Sequence, residues 1–181
     1  FFDRLHRFLS LASEAGIIVE VVLLSNTYAP TVWALNPLSA KNNINDLEEI
    51  EWPDYLSRRH PRLFERQVQH VRRIVTELNR YDNIIYEICN EPYFGGVTIP
   101  WQHHIAEVIA DTERTLPNQH LISQNIANGS ERIENPHPAI SIFNFHYASP
   151  PTAVAENYAL NKAIGDNETG FKGTENTHYR M

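Results

Sequence analysis

Short apolar runs that stop at an acidic or polar residue alternate along this chain with longer stretches whose apolar positions recur at helical spacing. Phe2, Leu5, Phe8, Leu9, Leu11 and Ala12 mark one helical face before Gly16. Ile17 to Leu24 then form a nearly uninterrupted β-branched run, the pattern of a buried strand. Residues 25 to 60 are a long stretch punctuated by Asn and Pro, more typical of a functional loop than of a short connection. From Pro61, a residue suited to the first helical position, Phe64, Val68, Val71, Val75 and Leu78 keep helical spacing up to Asn79. A strand over Asn83 to Cys89 follows, then a helix from about Pro100 to Leu116 and a strand over His120 to Gln124. Ala139 to Phe145 is a further strand ending in His146-Tyr147, and a short helix around Ala153 to Leu160 leads to a strand ending near Glu168.

The pattern thus gives five strand units separated by helices or long loops, each strand apolar enough for burial on both faces, which favours a parallel sheet and an α/β fold. A segment of a (β/α)₈ TIM barrel fits this order. Such a barrel normally takes about 250 residues, so a chain of 181 residues is expected to be an incomplete, internal piece of one, spanning 1–181 as one domain. It opens on Phe1-Phe2-Asp3 with neither an initiator methionine nor a signal peptide, and it stops at Met181 where another helix should begin.

Composition narrows the partners. A hydrophobic content of 42% with 20% charged residues is ordinary for a soluble globular domain. The net charge of −7 argues against nucleic acid, whose phosphates require a surplus of Lys and Arg. A membrane span is not expected, since no apolar run approaches roughly 20 residues. Cys89 is the only cysteine, which excludes an internal disulfide and a thiolate zinc cluster; its place in an apolar strand suits a packed core thiol.

The chemistry gathers where two strands stop. Ile84-Ile85-Tyr86-Glu87-Ile88-Cys89-Asn90-Glu91-Pro92 and Lys162-Ala163-Ile164-Gly165-Asp166-Asn167-Glu168-Thr169-Gly170 each run apolar into a carboxylate followed by turn formers. In barrels of this kind active sites are built at the carboxyl ends of the strands, so Glu91 and Glu168 can face each other across one mouth. Paired carboxylates cleave glycosidic bonds. Asp166 is the main competitor of Glu168, and Glu87 shares the parity of Glu91 but reads as a buried structural carboxylate. Asn26, and Gln124 with Asn125, lie at strand ends and are expected either to line a substrate cleft or to cap loops. Trp33, Trp52 and Tyr55 either stack on sugar rings or fold the long loop onto the barrel. A metal-dependent hydrolase would need convergent His and Asp at strand ends, and only His146 fits; His103-His104 lies on a helix without a spaced carboxylate, so no metal is expected. Asn128-Gly129-Ser130 and Asn167-Glu168-Thr169 match the glycosylation acceptor pattern, which recurs by chance.

In order, Asn90-Glu91-Pro92, His146-Tyr147 and Glu168 within Asn-Glu-Thr-Gly-Phe at 167 to 171 resemble the clan-A retaining glycoside hydrolases, especially glycoside hydrolase family 5 and its cellulase-like relatives. The resemblance covers nearly the whole chain and implies that the strands present are about strands 3 to 7. It implies Glu91 as acid/base, Glu168 as nucleophile and Asn90 as the amide that binds the sugar 2-hydroxyl. His146 or Tyr147 would orient Glu168 and favour its ionised form, although related enzymes separate the His from the Tyr by a residue. The function implied is hydrolysis of O-glycosidic bonds in β-linked oligo- or polysaccharides with retention and without a cofactor. Retention requires carboxyl groups about 5–5.5 Å apart on one mouth. The alternative from another class is a non-catalytic carbohydrate-binding or scaffold domain derived from such a barrel. Expressed alone, five strands would leave two open sheet edges, and this piece is expected to be inactive.

Overall fold

A computed structural model describes residues 1–148 and 150–169, and its centre is one five-stranded sheet. The strands are β1 (Val19–Val22), β2 (Ile84–Glu87), β3 (Leu121–Asn128), β4 (Ile142–His146) and β5 (Ala163–Glu168). Every neighbouring pair is parallel and the spatial order is the sequence order, so the sheet curls into part of a barrel with β1 and β5 as its two edges. Helices α1 (Phe2–Glu14), α2 (Pro30–Trp33), α3 (Pro61–Leu78), α4 (Ile99–Glu113) and α5 (Thr152–Asn157) fill the connections. The expected five strands are therefore present; the start of a further helix near Met181 lies outside the described residues. No helix among the described residues is long and apolar enough to cross a membrane.

Local chemistry explains the helices that carry the core. Pro61 opens α3, where its missing N–H goes unused, and Leu63, Val68, Val71, Ile74, Val75 and Leu78 form its buried stripe. The Thr98 side chain accepts from the Trp101 backbone N–H and caps α4, with Pro100 in the first turn. These two helices pack on each other and on the outward side chains of the sheet: Tyr86 and Ile88 from the β2 region, Ile122 from β3, Phe143 and Phe145 from β4. Helix α1 contributes less than its pattern promises. Leu9 and Ala12 are buried, while Phe8 and Leu11 lie on the exposed side.

One expectation needs correction. The strands are not apolar on both faces: the outward positions are mostly apolar, but the inward ones include Glu20, Glu87, Ser123, Asn125, Asn144, His146 and Asn167. The interior of this sheet is polar because these side chains satisfy one another by hydrogen bonds. The same feature lets β3 run on to Asn128, beyond Gln124 where the apolar run ends.

At the opposite end of the strands from the site described below sits a buried pair. His120 Nδ1 is 2.5 Å from Glu113 Oε1, both side chains being 3% exposed, and the second ring nitrogen faces the Tyr81 carbonyl. Two acceptors around one ring call for an imidazolium. Burial alone would lower the His120 pKa, but the Glu113 and Tyr81 hydrogen bonds outweigh it and raise the value. A raised histidine stabilises the fold fully below its unfolded pKa of about 6.5, and that contribution fades as pH rises through the folded value. Glu113→Ala, which strands the buried imidazolium, is expected to destabilise by about 3–5 kcal/mol at pH 6. The loss should shrink at pH 9 in urea titrations, and a loss that does not change with pH would refute the charged pair.

The loop over residues 25–60 is held by its asparagines. Asn36 Oδ1 accepts from the Leu38 N–H at 2.8 Å, and Asn42 Nδ2 donates to the Ala34 carbonyl at 2.7 Å. Trp33 and Tyr55 pack against each other in the core at a tilt, 5.1 Å between centroids, so they fold the loop onto the barrel and present no open ring. Trp52 packs partly buried against the same cluster.

Candidate active site

The carboxyl ends of β2, β4 and β5 converge, and two backbone devices aim their side chains. Beyond β2, pairing with the first strand continues as a bridge between Ser25 and Asn90. Glu91 then takes a left-handed conformation (φ 46°, ψ 51°) before the 3₁₀ turn Pro92–Gly95. Its N–H donates to Asn125 Oδ1 at 2.9 Å and its carbonyl accepts from Asn26 Nδ2 at 3.4 Å. A Cβ at Gly95 would lie 2.5 Å from Asn26 Oδ1, so only glycine lets this turn close on the asparagine. The second device is a bulge. Phe145 pairs with Asp166, but His146 pairs with Glu168, and the residue skipped in β5 turns Glu168 to the side of His146.

The result is a compact cluster. His146 is 1% exposed, and its Nδ1 lies 3.3 Å from Glu91 Oε1 and 3.4 Å from Glu168 Oε2. One oxygen of each carboxylate and this nitrogen all fall within 4.8 Å of one another. Glu91 is the more enclosed carboxylate, its side chain 13% exposed against 42% for Glu168. The Tyr147 hydroxyl donates to Glu168 Oε1, and the Asn90 amide donates to the Tyr28 hydroxyl at 2.7 Å. Tyr93 places its hydroxyl 3.3 Å from both Glu91 Oε1 and His146 Nδ1 while donating to Asn128 Oδ1 at 2.7 Å.

Electrostatics keep these phenols protonated. The hydrogen bond to Glu168, assisted by desolvation and the charges nearby, pushes Tyr147 up to about 12. Burial and the neighbouring Glu91 carboxylate push Tyr28 up to about 12, and the same two causes raise Tyr93. All three remain neutral donors beside the carboxylates. Tyr28, Glu91 and Tyr147 are three of the five non-glycine residues with positive φ among the described residues, so the strained backbone of this molecule concentrates here.

Of the residues singled out by sequence, Glu91, Glu168, Asn90, His146 and Tyr147 come together. Asn26 and Asn125 stand beneath them, holding the Glu91 backbone. Gln124 is not among them: it lies on the outward side of β3, its amide donating to Gln102 Oε1 of α4 at 2.8 Å. Its parity along β3, one residue before the inward Asn125, determines this. Asp166 also points elsewhere, its Oδ2 accepting from the Ala148 N–H at 2.8 Å. His103 packs against His137 at a tilt, away from the cluster. Tyr93, Tyr28 and Asn128 were not legible as site residues. Tyr93 alone carried a signal, an aromatic two residues after the strand-end glutamate. By spacing, Glu91, His146 and Glu168 are also the group that could hold a metal ion, although the Tyr93 and Tyr147 hydroxyls already face the two carboxylates.

No known protein family matches the chain by sequence, and no curated protein does. Among solved structures it is similar to two of endo-glycoceramidase II from Rhodococcus sp., one of them a cellobiose-like imidazole complex. Identities are 14% and 16%, and the TM-score is 0.53 for each. Each match covers 80% of this chain and 42% of the other, so the chain spans less than half the length of the structures it resembles. The fold is therefore that of a partial (β/α)₈ barrel.

Proposed function

We propose that this chain carries the catalytic face of a glycoside hydrolase similar to glycoside hydrolase family 5, cleaving O-glycosidic bonds of β-linked oligo- or polysaccharides with retention. The observation that carries the reading is the placement of Glu91 and Glu168, from different strand ends, with carboxylate oxygens within 4.8 Å of each other on one mouth. That closeness favours the short separation of a retaining pair, about 5–5.5 Å, over the wider one of an inverting pair, and it suits direct attack on the anomeric carbon. Glu91, enclosed by Tyr93 and His146, is the acid/base that protonates the leaving oxygen and later activates water. Glu168, more open and receiving a hydrogen bond from Tyr147, is the nucleophile that forms and releases the glycosyl intermediate. Asn90, tethered to Tyr28, is the group that binds the sugar 2-hydroxyl. The similarity to a glycosidase fold supports the carbohydrate class and not a particular glycan.

The test, made on the chain extended to a full barrel, is hydrolysis of a panel of β-glucans, mannans, xylans and aryl β-glycosides, with the anomer of the first product read by proton NMR in the presence and absence of EDTA. The β anomer as first product and activity unchanged by the chelator are expected. An α first product would sink the double displacement, and loss of activity on chelation would reassign the cluster to a cation. A chain that binds these glycans without cleaving any would restore the scaffold alternative.

A further inference from the structure

Below the catalytic cluster, two carboxylates share one set of donors. The Asn167 side-chain amide donates to Glu20 Oε2 and to Glu87 Oε2, 2.8 Å each. The Asn144 amide donates to Glu20 Oε1 at 2.8 Å and reaches Glu87 Oε2 at 3.4 Å, and Ser123 Oγ donates to Glu20 Oε1 at 2.5 Å. Glu87 is fully buried, and its Oε1 has no partner among the described residues. These donors are all neutral. Among the described residues the titratable groups that bear on Glu87 are Glu20 across the interior, Cys89 beyond the end of its own strand and Glu168 from β5, with no cation among them. Gly165 adds a steric stop, because a Cβ there would lie 2.7 Å from Asn144 Oδ1.

The two amides stand next to the chemistry. Asn167 immediately precedes Glu168, at the bulge that turns that side chain toward His146, and Asn144 lies two residues before His146 on the same inward face. Resting on the assignment of Glu168 above, we propose that Glu20 and Glu87 are positioning residues: a carboxylate pair that grips Asn167 and Asn144 and so fixes Glu168 and His146 relative to Glu91. The pair works best with one negative charge, since two carboxylates in a site without a cation repel, and a single proton relieves the repulsion while leaving oxygens for the amides. Consistent with this, burial and then the neighbouring Glu20 push Glu87 up to about 7. Between the ordinary value of 4.5 and about 7 the folded protein holds a proton that the unfolded chain has released. Stability therefore falls as pH rises through that window and levels off above it.

The experiment compares the full-length protein with Asn167→Ala, Glu87→Ala and Glu87→Gln, reading kcat and KM on an aryl β-glycoside from pH 4.5 to 9, together with thermal unfolding and carboxyl ¹³C NMR. Asn167 is exposed, so its truncation should not threaten folding. Asn167→Ala and Glu87→Ala are expected to lower kcat about 10- to 100-fold with KM within about twofold, the penalty of a misplaced reacting group. Glu87→Gln, fixed in the neutral form, should change the alkaline limb of the kcat profile and flatten the decline in stability between pH 4.5 and 7. Wild-type kcat in both alanine variants, or pH profiles of Glu87→Gln that superimpose on wild type, would overturn the proposal. Failure of the underlying assignment shows separately, as wild-type turnover in Glu168→Gln. In that case, or with no glycoside cleaved, a Glu168 carboxyl resonance unmoved by Asn167→Ala overturns the positioning role as well.

Discussion

In the complete enzyme, Glu168→Gln should reduce turnover on every substrate by on the order of 10⁴-fold, because among the described residues no other group is placed to form the covalent intermediate. Glu91→Ala should behave differently. It should lose about 10²–10⁴-fold on substrates with poor leaving groups, yet form the glycosyl-enzyme at close to wild-type rate when the leaving group needs no proton. Azide separates the two roles. In Glu91→Ala it attacks the intermediate and gives a β-glycosyl azide; in Glu168→Gln it attacks the substrate directly and gives the α product. The environment of each residue is the reason to expect this division. Tyr147 donates to Glu168, an arrangement that favours a carboxylate, whereas Glu91 is enclosed between Tyr93 and His146 and held by its backbone to Asn125 and Asn26. If Glu91→Ala loses activated substrates and azide restores nothing, Glu91 is not the acid/base.

A loss of stability as large as that of Glu113→Ala is expected from Trp101→Ala. Trp101 is 1% exposed at the start of α4, and its indole Nε1 donates to Gln67 Oε1 of α3 at 3.2 Å. Gln67, itself fully buried, passes the chain on by donating to the Tyr55 carbonyl at 2.5 Å. One side chain thus ties α4, α3 and the long loop together. Removing it leaves a cavity of indole size and an unpaired buried acceptor, a loss of about 3–5 kcal/mol. Trp101→Phe keeps most of the volume and should lose only about 1–2 kcal/mol, chiefly the hydrogen bond. Urea denaturation measures both. A Trp101→Ala loss below about 1 kcal/mol would mean that these helices do not meet as described.

What the sequence made legible, and what it hid, follows from the two faces of the strands. The outward face is apolar, so Tyr86, Ile88, Phe143 and Phe145 announced buried strands and their order. The inward face is polar, and a search for apolar runs ended β3 at Gln124 and read its polar continuation through Asn125 and Asn128 as a loop. Glu91 and Glu168 were visible because each closes an apolar run. Tyr93, Tyr28 and Asn128 were not, since their roles depend on a left-handed turn and on register shifts that no periodicity encodes. Gln124 failed as a cleft residue for the opposite reason: a strand-end position says nothing of facing until the register is fixed. The aromatic residues of the long loop resolved toward packing, as the burial of Trp33 and Tyr55 shows.

The sequential order of the strands has a consequence for how the molecule is made. Each strand pairs with the one before it in the chain, with no later strand inserted between earlier ones. As the chain leaves the ribosome, each of β2 to β5 and its helix can dock on an edge formed by the described strand before it. The proposed catalytic pair, divided between the ends of β2 and β5, then comes together only when β5 docks. Until β5 docks, Glu91 lacks its partner, and a nascent chain that stops short of β5 holds a scaffold without the paired carboxylates on which the proposed cleavage depends.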